Sequence, residues 1–157
     1  MTSLLLLAKS KHANKGKDAE KLVAKFLEEW AACSPQRSYE RLIDAKAAGR
    51  TIKASAADFC CWSFTPLGHY TVFVECKETL HQYRLAKDKV PQLPRLRKLA
   101  QCGCTCLILV FHSTLNAWRV VKAEELEVGV PSWDLSCKPL HPTPGAALQA
   151  VKVGVFK

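Results

Sequence analysis

Cys104 to His112 (Cys-Thr-Cys-Leu-Ile-Leu-Val-Phe-His) is almost wholly apolar. A strand with no polar side has no face to give to water, so the run predicts a central strand covered on both faces. Such a strand needs helices above and below it, which confines the chain to an α/β layer architecture. The neighbouring segments supply those helices. From Asp18 to Cys33, the residues Ala19, Leu22, Val23, Phe26, Leu27 and Trp30 recur at i, i+3, i+4, i+7, the mark of an amphipathic helix, and Ser34-Pro35 ends it. A second, basic helix is expected over Pro91 to Ala100, with proline near its first position and Gly103 beyond its end.

Ala117 to Lys122 reads as a further strand after a turn at Ser113 to Asn116, and Ala123 to Glu127 as a short helix. Tyr39 to Ile43 fits a strand or a helix equally. Ala47 to Ala57, with Gly49, Arg50 and Lys53, reads as a basic loop, and residues 78–90 as a polar loop. The tail from Ser136 carries three prolines and little periodicity before Ala150 to Phe156. It is expected to be loose or to dock on a partner. The whole is expected to form one domain, 1–157, with residues 1–16 as a basic arm and 136–157 as a loose tail. Within the arm, Leu4 to Ala8 is an apolar run suited to packing on the body or on a second subunit.

Phe59 to Phe64 and Tyr70 to Cys76 are two strands around Thr65-Pro66-Leu67-Gly68, a turn-forming tetrapeptide. With those residues as the loop, Phe64 faces His69, and counting outward sets Asp58 opposite Glu75. Cross-strand partners have Cβ atoms ~5 Å apart on one face, and Lys77, two residues on, shares that face. Carboxylates held so close repel unless a cation or a shared proton compensates. Asp58, Glu75 and the Cys76 carbonyl therefore offer oxygen ligands suited to Mg²⁺, which keeps several waters and completes its shell from substrate phosphate. Lys77 is placed to orient a water nucleophile or to stabilise developing negative charge. Glu20 lies on the rim of the first helix's buried stripe, where it either looks into a cleft or stands solvated near the helix N-terminus.

Net charge points to the substrate. Lys and Arg number 23 against 14 Asp and Glu, for a net +9 and a pI near 9.3, an excess that favours a polyanionic partner. The Leu4 to Ala8 run is too short to span a membrane or to act as a signal peptide. The eight cysteines (33, 60, 61, 76, 102, 104, 106 and 137) include no Cys-x-x-Cys and no paired histidines of a zinc site. They are expected to stay reduced as small buried hydrophobes. Cys102, Cys104 and Cys106 alternate, so on a strand they would share one face, as core or as a metal cluster. The combined reading is a metal-dependent nuclease.

Three blocks resemble the PD-(D/E)xK nuclease superfamily, and within it the small Holliday-junction resolvases of the RecU and the archaeal or phage type. Asn14-Lys15-Gly16-Lys17-Asp18-Ala19-Glu20 resembles the family's Asn-x-Gly-x-x-x-Glu opening of its first helix. Ser55-Ala56-Ala57-Asp58-Phe59 resembles Ser-x-Pro-Asp-Phe, with Ala57 in place of proline. Phe73-Val74-Glu75-Cys76-Lys77-Glu78-Thr79 resembles Phe-x-Glu-Ala-Lys-Glu-Thr. Gln92 matches a glutamine of the following helix, although Pro91 stands where the family carries histidine.

The resemblance implies a restriction-endonuclease-like fold, a central mixed sheet flanked by helices. It implies Asp58, Glu75 and Cys76 at the metal, Glu20 assisting it and Lys77 serving the nucleophile. Mg²⁺ is the expected cofactor, with Mn²⁺ as a substitute. A four-way DNA junction is the implied substrate and a homodimer the implied assembly, in the cytoplasm of a prokaryotic cell or a phage-infected host. DNA contacts are expected from Lys9, Lys11, Lys15, Lys17, Arg50, Lys53, Ser55, Gln92, Arg95 and Lys98. A flap, repair or restriction-like nuclease, and a non-catalytic DNA-binding module, are the alternatives.

Overall fold

Strand β5 (Thr105–His112) lies inside the sheet, as its apolar run requires. The computed structural model describes residues 15–42, 55–151, 153, 155 and 156. In chain order these form α1 (Lys15–Ala32), β1 (Arg37–Arg41), β2 (Phe59–Thr65), β3 (Gly68–Thr79), β4 (Arg84–Ala86), α2 (Leu93–Gln101), β5, β6 (Ala117–Lys122), β7 (Ser132–Asp134) and α3 (Pro144–Ala150). Strands β1, β2, β3, β5 and β6 make one five-stranded mixed sheet in that order. The β3–β5 pair alone is parallel, and the crossover between them carries α2. β4 and β7 pair in a small separate ribbon.

Side chains of β5 alternate between two cores. Leu107 and Leu109 pack with Val23, Leu27 and Trp30 of α1 on one face. Cys106, Ile108 and Val110 pack with Leu93 and Leu96 of α2 on the other. Both faces of the strand are thus dry, which explains why no polar alternation appears in its sequence.

The β2–β3 hairpin has the counted register, Phe64 opposite His69, with Thr65 also paired to Gly68. Gly68 has φ +136°, a conformation in which glycine is favoured because it has no Cβ. Of the segment Tyr39 to Ile43, Tyr39 to Arg41 resolve as strand, within the β1 stretch that pairs with β2 from Arg37 to Arg41, and Ile43 lies outside the described residues.

Four expectations change. Residues 78–90 are not a plain loop: the end of β3, strand β4 and a 3₁₀ turn at Lys87–Lys89 occupy them. Helix α2 begins at Leu93 with Pro94 in its first turn, and Pro91 precedes it. Cys102 sits at the C-terminus of α2 and Cys104 just before β5, so the alternating trio does not share a strand face. All eight cysteines are free thiols, but Cys33, Cys102 and Cys137 are exposed rather than buried, and among the described residues no group of His, Cys, Asp and Glu forms a metal cluster.

The tail is the fourth. Thr143 caps α3 by accepting from the Ala146 N–H at 3.1 Å, and Pro144 fits the first turn, where its missing N–H costs nothing. Trp118 and His141 exchange backbone hydrogen bonds at 2.8 Å. The Trp30 indole donates to the Val155 carbonyl at 3.0 Å, and Phe156 stacks at 5.3 Å from Trp30. Prolines that suggested looseness thus start a helix too short to show a period, and the segment is buried on α1. A Cβ at Gly145 would lie 2.5 Å from Cδ2 of Phe26. Gly145→Ala is therefore expected to destabilise the fold by about 1–3 kcal/mol through overpacking, read as a lower urea midpoint with an unchanged slope.

Among the described residues, no helix is long and apolar enough to cross a membrane.

Candidate active site

The hairpin register brings the two central acids together at the end of β3. Phe59 pairs with Val74, so Asp58, one residue earlier, lies beside Glu75. Asp58 Oδ2 accepts the backbone N–H of Cys76 at 2.7 Å, which fixes its carboxylate against the strand. Glu75 is fully buried. One of its oxygens meets the Lys77 ammonium in an ion pair. Its Oε2 is buried without a hydrogen-bond partner. Lys77, 18% exposed on its side chain, carries this pair to the wall of an open cleft.

That cleft has a volume of about 660 Å³ and runs between the start of α1, the end of β3 and the segment after β4. Glu20, Lys77, Glu78 and Lys89 line it. Glu20 does reach the cleft, and its carboxylate pairs with Arg41 Nη2 at 2.5 Å.

Electrostatics follow from this burial. Desolvation, and next the nearby charge of Asp58, push the Glu75 carboxyl up from 4.5 to about 7. Desolvation also raises Asp58, against the lowering effects of the Cys76 N–H and the Lys77 charge. Glu20 adds negative potential to both. The Cys76 thiol is pushed well up by burial, which leaves a neutral side chain with no role as a nucleophile.

The remaining expected contacts are spread more widely. Lys17 is exposed in the first turn of α1, near the cleft wall formed by Ala19 and Glu20. Lys15 opens the same helix, but its side chain lies outside the described residues, as do Lys9, Lys11, Arg50 and Lys53 entirely. The Ser55 hydroxyl donates to the Ala57 carbonyl at 3.0 Å, stiffening the approach to Asp58. Gln92 precedes α2 with a buried, unpartnered Oε1. Arg95 and Lys98 are exposed on α2, and Lys98 lines a neighbouring groove with Arg97 and Trp133 rather than the cleft itself.

Three features were not anticipated. Arg41 is the counter-charge of Glu20, and it belongs to the segment whose sequence fits helix or strand. Lys89 reaches the cleft from residues 78–90, which read as polar loop. The third is a buried polar support under the segment after β3. His112 Nδ1 donates to the His81 carbonyl at 2.6 Å, and Arg119 Nη1 lies 3.2 Å from His112 Nε2. A carbonyl can only accept, so the ring proton sits on Nδ1 and Nε2 accepts from Arg119. Burial lowers the His112 pKa, in keeping with a neutral ring. Arg119 also donates to the Gln82 carbonyl at 2.5 Å.

The sequence matches no protein-family model and no curated protein. A solved structure does match: that of Archaeoglobus fulgidus Hjc, a Holliday junction resolvase from an archaeal hyperthermophile. The alignment covers 80% of this chain and 91% of that one, with a TM-score of 0.50 and 16% identity. The chain shares that protein's fold. The five-stranded mixed sheet with α1 on one face and α2 on the other is thus the restriction-endonuclease-like arrangement.

Proposed function

We propose that the protein is a metal-dependent endonuclease selective for branched DNA, a resolvase that makes paired nicks in a four-way junction. One observation carries the reading: a fully buried glutamate with an unpartnered oxygen, beside a second, half-buried carboxylate, joined by a lysine to an open cleft. Leaving a carboxylate oxygen buried and unpaired is costly, and a divalent cation relieves that cost.

The donors are hard oxygens, which suits Mg²⁺ or Mn²⁺. Asp58, Glu75 and the Cys76 carbonyl would hold the ion, and Glu20 would assist them. The small number of protein ligands fits a cation that keeps waters and takes phosphate oxygens. Such an ion lowers the pKa of water and neutralises charge on the phosphate.

The chain's own residues supply the rest. Lys77 holds the attacking water at the cleft wall and, as an ammonium, stabilises the negative charge that develops on the phosphate. Lys17 and Lys89 bring positive charge to phosphates entering the cleft. Lys9, Lys11, Lys15, Arg50, Lys53, Arg95 and Lys98 would extend the path over the surface, with Ser55 and Gln92 as hydrogen-bonding contacts. Contacts of this kind are independent of base sequence and weaken with salt, which suits an enzyme that reads shape. Two symmetric nicks need two active sites, so a homodimer is the working form.

Incubation with a labelled four-way junction and a matched linear duplex, with Mg²⁺ and with EDTA, tests the proposal. Paired nicks in the junction alone, absent with EDTA, are expected. Equal cutting of both DNAs would leave a nuclease without junction selectivity. Tight binding with no cutting of either would make the chain a non-catalytic binding module.

A further inference from the structure

Residues 80–83 join β3 to β4 at the lip of the cleft, and their backbone is held to an unusual degree. Ser113 N–H donates to the Thr79 carbonyl at 3.1 Å, and the Thr114 hydroxyl to the Leu80 carbonyl at 3.0 Å. His112 and Arg119 take the next two carbonyls, and Leu135 N–H takes that of Tyr83 at 2.7 Å. Five successive carbonyls, 79 to 83, thus find protein donors, where surface loops commonly leave such groups to water. Yet the side chains of residues 80–83 all point outward, with Leu80 58% and Tyr83 44% exposed. The buried histidine and arginine therefore do not serve to bury this loop. They fix the shape of what it displays.

What it displays is an apolar side chain in the cleft of the catalytic lysine and an exposed aromatic one three residues further along. Leu80 lines the same cleft as Lys77, and Tyr83 follows with the Arg84 guanidinium 5.7 Å from its ring centre. Stacked duplex bases hide their faces, so such side chains would meet only sugar and phosphate there. Bases at a branch point can be unstacked, and aromatic and apolar side chains bind their faces. A loop already rigid loses little freedom on binding.

We propose that loop 80–83 is the element that distinguishes branched from linear DNA. Leu80 and Tyr83 pack against bases left unstacked at the branch, next to the phosphate presented to Lys77. His112 and Arg119 are its positioning residues. The proposal rests on the nuclease reading above and specifies its substrate recognition.

The test uses the full chain with Ca²⁺ in place of Mg²⁺ and four-way junctions carrying 2-aminopurine at the branch or within an arm. The wild type is expected to raise fluorescence at the branch only. Leu80→Ala/Tyr83→Ala is expected to abolish that rise and to lower the junction-to-duplex affinity ratio about tenfold or more. Arg119→Gln, with both side chains retained, is expected to lower the ratio in the same direction at temperatures well below its melting transition. Leu67→Ala, at a hairpin tip where Leu67 is 90% exposed, is the control and is expected to change neither reading.

Parallel assays in Mg²⁺ separate the two readings. A wild type that cuts the junction, with a double variant of unchanged ratio and fluorescence, overturns the loop proposal and leaves the nuclease standing. A wild type that neither binds nor cuts any DNA overturns both.

Discussion

Glu75→Gln is expected to lower Mg²⁺-dependent cutting of a four-way junction by about 10³-fold, at the upper end of what loss of one preorganised electrostatic group costs, while junction binding persists or tightens. Glutamine keeps the volume of the buried side chain, so the β3–β5 packing around it need not change. What it removes is the negative charge that pairs with Lys77 and that would hold the divalent cation of the proposed mechanism. Binding is expected to survive because the proposed phosphate contacts lie elsewhere, and one acid fewer would repel the DNA less. Lys77→Met, which retains the apolar stem, should be equally inactive, since the positive charge at the cleft wall is then missing. Single-turnover rates in Mg²⁺ with gel-shift affinities in Ca²⁺ decide the matter. Near-wild-type cutting by either variant would remove these residues from the chemistry. A melting temperature close to the wild type's would show that the loss is chemical and not a failure to fold.

The parts legible in the sequence were those written in local patterns. The apolar run of β5 needs no partner to be read, and Thr65-Pro66-Leu67-Gly68 sets the β2–β3 register by turn chemistry alone. That is why Asp58 and Glu75 could be placed together from the chain by counting. The parts that were missed are paired across the sheet or between distant segments. Arg41 meets Glu20 only because β1 lies at the α1 side of the sheet, and five residues of mixed polarity carry no clear period. Strand β7 is three residues long and exists by pairing with β4. His112 and Arg119 were within reach. The turn from Ser113 to Asn116 sets His112 opposite Ala117 and Val110 opposite Arg119, so the same outward counting puts the two polar side chains on one face. The strong apolar pattern of β5 drew attention to its core and away from the one polar residue at its end.

Asp58→Asn is expected to inactivate the protein and, in the absence of metal, to make it more stable. Asparagine can still accept the Cys76 N–H through its side-chain oxygen, so the local geometry is retained. The gain comes from the charge it removes. Glu75 has a folded-state pKa of about 7 against an ordinary 4.5, through burial first and the charge of Asp58 second. A carboxyl whose pKa is raised by folding favours the fold when protonated. Its contribution is therefore fully present below about pH 4.5 and is lost as pH rises through about 7. Asp58, also raised, acts with the same sign.

Metal-free wild type should accordingly lose stability between about pH 5 and about pH 8, as the two carboxyls give up their protons. A tenfold change in proton affinity is worth about 1.4 kcal/mol, so the rise of Glu75 from 4.5 to about 7 limits its own share of the loss to about 3 kcal/mol. Asp58→Asn, by removing one of the two repelling charges, should recover about 1–2 kcal/mol at about pH 8. In a chain of this size that is a rise of roughly 4 °C in melting temperature, shrinking towards lower pH as Glu75 protonates in both proteins. Mg²⁺ should reverse the order, since a cation that binds the folded site stabilises the wild type by mass action and the variant much less. Thermal melts across this pH range, in EDTA and in Mg²⁺, measure all of these effects. A wild-type melting temperature that neither falls with pH nor rises with Mg²⁺ would show that the two carboxylates are not held against each other, and the metal assignment would fall with them.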